Sequence, residues 1–193
     1  MLPLEGLIVI AVEQAVAAPF CSSRLADAGA HVIKVERPEG DFARGYDAAA
    51  KGQSSYFVWL NRGKNSVVID LATKEGRQSL EELIASADVF LQNLKPGSMD
   101  KLGFSLERLK KDYPSLISCT ISGYGDDGPY AQRKAYDLLK QRRAQAFYQL
   151  RGDDVGGLGG AADPLPQMVQ VKFLFGLFGH DDFRTRGAFG VSL

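Results

Sequence analysis

The stretch from Asp88 to Asp137 constrains the fold more than any other part of the chain. Two runs rich in Val, Ile and Leu, Val89–Leu91 and Leu116–Ile121, each stop at loop-forming residues. Asn93-Leu94-Lys95-Pro96-Gly97 follows the first run, and Ser122-Gly123-Tyr124-Gly125-Asp126-Asp127-Gly128-Pro129 follows the second. An amphipathic segment, Leu102 to Tyr113, lies between them. Strand, loop, helix, strand, loop is the pattern of a parallel α/β unit. In open sheets of this kind ligands sit at the carboxyl ends of the strands, and both loops are expected there.

The rest of the chain extends the pattern. Leu7–Val12 reads as a buried strand, and Glu13 to Ala18 as a turn of small residues. Pro19 suits the first turn of a helix running to about Ala28, with Gly29 as its C′ residue. His31–Glu36 is the next strand, so the chain opens with a βαβ unit. Asp41 to Ser54 is a polar loop, Ser55–Leu60 a short strand or turn, and Ser66–Leu71 a further strand. Thr73 is a good N-cap for a helix over Lys74 to Ala87, where Leu80, Leu83, Ile84 and Ala87 make one apolar stripe. Ser105 caps a later helix that Pro114 ends. Val169–Phe178 is apolar again. The expected fold class is α/β: a Rossmann-like, mostly parallel sheet flanked by helices.

Composition removes several classes of function. Net charge is zero, which leaves no bulk electrostatic case for nucleic acid or an anionic membrane. No apolar run approaches the ~18 residues of a membrane span. Cys21 and Cys119 sit inside apolar runs and read as buried free thiols of a reducing compartment. The N-terminus carries Glu5 and no basic leader, so it reads as a first strand and not as a signal peptide. A cytoplasmic location follows as the expectation. His31 and His180 are too few and too far apart in sequence for a metal site.

Chemistry is harder to read. Gly123-x-Gly125-x-x-Gly128 matches a dinucleotide pattern, but Pro129 follows at once and the segment is not the first βα turn. It reads as a tight loop needing positive φ. Arg37, Lys64, Lys95, Lys101 and Lys134 each lie in or beside a loop after an apolar run. Gathered at one sheet edge they would suit a phosphorylated ligand. Left apart they are solvated surface charges. No Ser/His/Asp order or nucleophile elbow is present. Asp126, Asp127, Asp137, Asp153, Asp154 and Asp163 remain as candidate carboxylates, and spacing does not separate them.

Four stretches together resemble one family. They are LEGLIVIAVEQAVAAPFCSSRLADAGAHVIKVERPEGDFAR from Leu4, YFVWLNRGKNSVVIDL from Tyr56, ADVFLQNLKPGSMDKLGF from Ala87 and ISGYGDDGPYAQRKAYDLL from Ile121. In order and spacing they are similar to class III coenzyme A transferases, the group of formyl-CoA transferase and the carnitine and bile-acid CoA transferases. The resemblance implies the large, Rossmann-like domain of that family in an interlocked homodimer. It implies transfer of CoA from an acyl-CoA donor to a carboxylic acid, with the CoA thioester as substrate and no separate cofactor. By position it implies CoA-binding roles for Val16, Ala17, Arg37, Ile69, Asp70, Leu71, Ala72, Asn93, Leu94, Lys95, Lys101, Lys134, Ala135, Tyr136 and Asp137. Formyl-CoA transferases carry Gln where this chain has Val16; here the Gln stands at Gln14.

In the family an aspartate is the nucleophile. The resemblance fades over 140–160 and partly returns with Gly159-Gly160-Ala161-Ala162-Asp163 and Met168, and with Arg186-Gly187-Ala188-Phe189. These matches imply Asp163. The related α-methylacyl-CoA racemases use a His-Asp pair where this chain has Tyr136-Asp137, and a tyrosine does not exchange protons near neutral pH. That favours transferase over racemase. Family members are much longer. The expected organisation is a CoA-binding domain over 1–139 and a divergent continuation over 140–193, with the small domain absent. A frame slip would produce such a break. A CoA-binding remnant without catalysis is the other reading, and it predicts exposed apolar patches.

Overall fold

The structure is a computed structural model that describes residues 1–125, Pro129 and the strand at 170–174. Up to Ile121 the chain forms one compact unit, which the segment from Val171 joins. Its strands are β1 (Ile8–Val12), β2 (His31–Glu36), β3 (Asn65–Val68), β4 (Val89–Gln92), β5 (Ile117–Ser122) and β6 (Gln170–Leu174). They form one sheet in the order β3-β2-β1-β4-β5-β6. The pairs β1–β2, β1–β4, β2–β3 and β4–β5 are all parallel. The order reverses between β1 and β4, which makes that gap the topological switch point of a doubly wound sheet.

β1 is central and apolar on both faces. Ile10 and Val12 face one core with Leu80, Ile84, Phe90 and Leu109. Val9 and Ala11 face the other with Ala18, Val32, Leu91 and Cys119. Helices cover both faces, as a parallel sheet requires. α1 (Ala17–Asp27) contributes to the second core, and α3 (Lys74–Ala85) and α5 (Leu106–Asp112) to the first. The predicted stripe on α3 is present: Leu80 and Ile84 are buried, with Leu83 and Ala87 packed beside them.

Helix starts follow the predicted caps. Thr73 Oγ1 accepts from the Gly76 N–H at 2.9 Å, and Ser105 Oγ from the Arg108 N–H at 3.2 Å. Gly29 ends α1 with φ +104°, a conformation that L side chains rarely adopt. A short α4 (Ser98–Lys101) separates the β4 loop from α5.

Residues 55–60 differ from expectation. They form α2 (Ser55–Asn61), not a strand or turn. Ser54 Oγ accepts from the Phe57 N–H at 3.2 Å, and Asp47 Oδ1 from the Ser55 N–H at 2.8 Å. These caps start a helix whose outer face is aromatic, so apolar periodicity did not reveal it. An exposed aromatic strip runs here. Phe42, Tyr46, Tyr56 and Trp59 are exposed and meet one after another in tilted or edge-to-face contacts, with centroids 5.9 to 6.0 Å apart.

Candidate functional site

Parallel pairing brings the loops after β1, β2, β3 and β4 to one edge of the sheet. Most of the described candidate residues fall in those loops. Val16 and Ala17 follow β1 and open α1. Arg37 follows β2, Ile69 to Ala72 follow β3, and Asn93 to Lys95 follow β4. Lys101 closes α4. Lys134, Ala135, Tyr136, Asp137 and Asp163 lie outside the described residues.

The loop after β1 is the most constrained part of this edge. Ala15 has φ +64°, a left-handed conformation that costs a non-glycine residue about 1–2 kcal/mol. Residues from both neighbouring loops hold it. Asn93 Oδ1 accepts from the Gln14 N–H at 3.0 Å, and Asn93 Nδ2 donates to the Gln14 carbonyl at 2.9 Å. From the other side Asp41 Oδ1 accepts from the Ala15 N–H at 3.0 Å and from the Ala43 N–H at 2.9 Å.

Beneath the loop lies a buried network of ion pairs. Asp41 Oδ2 accepts from Lys34 Nζ at 2.9 Å, and both side chains are almost wholly buried. Lys34 Nζ also lies 3.6 Å from Glu13 Oε1. Lys64 Nζ donates to Glu13 Oε1 at 2.8 Å and to the Pro19 carbonyl at 2.9 Å. Ser22 Oγ donates to Glu13 Oε2 at 2.7 Å. Burial pushes the Lys64 ammonium pKa down, and the Glu13 charge offsets part of that. Lys64 therefore leaves the expected ring of cations. It precedes β3 and does not follow it, and its charge is consumed inside the fold.

Glu36 ends β2. Burial alone would push its carboxyl up, but hydrogen bonds from Arg44, Ser66 and the Asp41 N–H outweigh that and bring it down to about 2. Gln92, at the end of β4, donates to Thr120 Oγ1 at 3.1 Å and accepts from the Leu94 N–H at 2.7 Å. That bond shapes the first residue after Asn93. Among the described residues no buried side-chain polar atom lacks a partner.

The remaining candidates divide by exposure. Arg37, Lys95 and Lys101 are exposed. Arg37 Nε donates to the Gly40 carbonyl at 3.0 Å and lies 3.8 Å from Glu39 Oε2, an exposed ion pair. The Ile69 side chain is buried in the core and Leu71 and Leu94 pack against it, so these three offer backbone and not side-chain tips. Asp70 Oδ1 accepts from the Ala72 N–H at 2.9 Å. The loop from Asp70 to Ala72 is pressed against α3: a Cβ added at Gly76 would lie 1.9 Å from the Asp70 carbonyl oxygen. In the second glycine loop, Gly125 has φ +81° and its N–H donates to Ser122 Oγ at 3.0 Å, the tight-turn role read from the sequence.

Comparison with known proteins gives this edge a context. The profile of CoA-transferase family III matches residues 4–180. The chain belongs to that family. Acetyl-CoA:oxalate CoA-transferase of Acetobacter aceti is 42% identical over 140 residues, covering 72% of this chain and 36% of the relative. Succinate–glutarate CoA-transferase of Agrobacterium fabrum is 39% identical over 181 residues, covering 90% of this chain and 44% of the relative. A hypothetical protein of Mycobacterium tuberculosis has a crystal structure that superposes with TM-score 0.71 at 34% identity, over 92% of this chain and 46% of that one. A CAIB/BAIF family protein of Brucella suis gives TM-score 0.70 at 40% identity, over 86% and 43%. The chain thus spans less than half the length of these family III relatives. Its doubly wound, parallel sheet is the family III fold.

The sequence missed two residues of this edge. Asp41 read only as the start of a polar loop, although Gly40-Asp41 is a turn-forming pair. Glu13 read as part of a small-residue turn, and its partner Lys64 is 51 residues away in sequence. Asn93 was expected to touch CoA; in the structure its amide is engaged with Gln14. Among the described residues no group of His, Cys, Asp or Glu could hold a metal ion. No helix among them is long and apolar enough to cross a membrane.

Proposed function

We propose that this chain is the coenzyme A-binding part of a class III CoA transferase, acting on an acyl-CoA donor and a carboxylic acid acceptor. One observation carries the reading: in a family III domain, the loops after four parallel strands meet at one edge with exposed cations and a rigid loop at the switch point. Coenzyme A presents a pyrophosphate and a 3′-phosphate, which Arg37, Lys95, Lys101 and Lys134 neutralise by charge and hydrogen bond. The backbone of Ile69 to Ala72 packs the adenine. Val16, Ala17 and Asn93 to Leu94 line the path inward, with Ala135, Tyr136 and Asp137 completing it. Residues 1–139 form the CoA-binding domain and 140–193 its divergent continuation.

Asp163 is the nucleophile in this reading. Its carboxylate attacks the thioester carbonyl, forming a mixed anhydride and releasing CoA thiolate. The thiolate attacks the aspartyl carbonyl of the anhydride, which gives an aspartyl thioester and frees the donor acid. The acceptor carboxylate attacks that thioester, again releasing thiolate, and the thiolate takes the acyl group of the new anhydride. CoA leaves on the acceptor and Asp163 returns as a carboxylate. Dividing the exchange through covalent intermediates lowers each barrier. The relatives' names include oxalate, glutarate and succinate, which supports a short dicarboxylic acid as acceptor. The homodimer is what the class III reading implies, and the free thiols Cys21 and Cys119 support a reducing cytoplasm.

Mass spectrometry after incubation with succinyl-CoA and hydroxylamine tests the reading. A hydroxamate on the peptide carrying Asp163 supports the transferase. CoA binding with no hydroxamate supports a binding module without catalysis.

A further inference from the structure

We propose that Asn93 and Asp41 are positioning residues, a two-sided clamp that fixes the Gln14–Ala15 loop in the shape in which it meets coenzyme A. The inference rests on the CoA-binding reading above. It differs from a ligand-contact role for Asn93. Both polar atoms of the Asn93 amide are engaged with Gln14, Oδ1 at 3.0 Å and Nδ2 at 2.9 Å. A direct side-chain bond to a ligand would compete with the loop for the same amide.

Asp41 reaches the adjoining residue from the opposite loop. Its carboxylate is 4% exposed as a residue, too buried to touch ligand. Oδ1 takes the Ala15 and Ala43 N–H groups, and Oδ2 takes Lys34 Nζ. Lys34 in turn lies near the Glu13 carbonyl at 3.4 Å, at the end of β1. The two clamp residues thus come from the loops that follow the strands flanking β1, and they grip consecutive residues of the loop at the switch point. Between them sits Ala15 at φ +64°, where glycine would rest without strain. An alanine in that conformation stays there because the surrounding bonds over-determine it.

The test is calorimetric titration of CoA into the purified chain and its variants, with urea unfolding of each. The unsubstituted chain is expected to bind CoA. Asn93→Ala is expected to weaken binding roughly tenfold, the worth of about one net hydrogen bond. Adding Ala15→Gly in that background is expected to restore part of the affinity, since glycine takes the left-handed conformation unaided. Loss of a direct ligand contact would not be rescued that way. Leu83→Ala, in α3 and away from the clamp, is expected to lower the urea midpoint and leave CoA affinity unchanged. If Asn93→Ala does not fold, Asn93→Asp keeps the acceptor, loses the donor and is expected to give the same rescue with Ala15→Gly. Unchanged affinity in the Asn93 variants, or no rescue by glycine, overturns the clamp and leaves the CoA reading standing. No CoA binding by the unsubstituted chain overturns both.

Discussion

Arg44 and Glu36 meet fork to fork: Nε donates to Oε2 at 2.9 Å and Nη2 to Oε1 at 2.8 Å. The guanidinium also lies 3.8 Å above the Phe57 ring, which ties α2 to the end of β2. The Glu36 side chain is almost wholly buried while Arg44 is about half exposed. With its carboxyl lowered from 4.5 to about 2, Glu36 contributes stability that is present above pH 4.5 and lost as pH falls through about 2. The shift corresponds to ~3 kcal/mol at most, and solvent screening at the Arg44 side reduces it. Urea unfolding between pH 2 and 6 is expected to show a steep acid limb that Glu36→Gln flattens. An acid limb unchanged by the substitution would contradict this account.

Lys64 is expected to be structural. Lys64→Met leaves the buried Glu13 carboxylate with Ser22 and the more distant Lys34, and breaking such a pair costs about 3–5 kcal/mol. The double variant Glu13→Gln/Lys64→Met is expected to lose less than the sum of the single losses. Additive losses in urea unfolding would show that the two groups do not interact.

Gly76 is expected to tolerate no side chain. The Asp70 carbonyl sits where a Cβ would go, and backbone must move to admit it. Gly76→Ala is expected to destabilise the fold by about 1–3 kcal/mol, the usual cost of overpacking, despite alanine's better helix propensity. It is also expected to weaken CoA binding by shifting residues 70–72. A variant that melts at the parent temperature would contradict the close approach.

Cys119 is buried, and burial pushes its thiol up to about 12, with Cys21 adding to the rise. Cys21 is raised too, by burial and then by Glu13. In the native protein at pH 8 a disulfide reagent is expected to leave Cys119 unmodified, and after guanidinium unfolding to modify both. The neutral Cys119 thiol favours the fold below its ordinary 9.0, and that contribution is lost as pH rises toward 12. Rapid native-state labelling of Cys119 would contradict the burial.

Strands and caps were legible because each rests on local chemistry. His31–Glu36 and Val89–Leu91 are β-branched or leucine-rich runs bounded by turn residues, and Thr73 and Ser105 are side-chain caps within three residues of their targets. α2 was not legible, because only Leu60 of its residues is fully buried and its Tyr56 and Trp59 side chains are exposed. The sheet edge where the described candidates gather was legible, but not what makes its central loop rigid. Lys64 reads like Lys95 in sequence, yet its ammonium is paired with a carboxylate 51 residues away. Asn93 is joined to Gln14 across 79 residues and Asp41 to Ala15 across 26. Such bonds exist only once β1, β2 and β4 lie side by side.

Hydrogen–deuterium exchange of the chain with and without coenzyme A tests the central claim most directly. Binding at the carboxyl edge predicts slower exchange in peptides covering residues 14–17, 37–41, 69–72 and 93–95. The α3 peptide around Leu83 and Ile84 should be unchanged. Protection confined to other segments, or none at saturating coenzyme A, would contradict the claim.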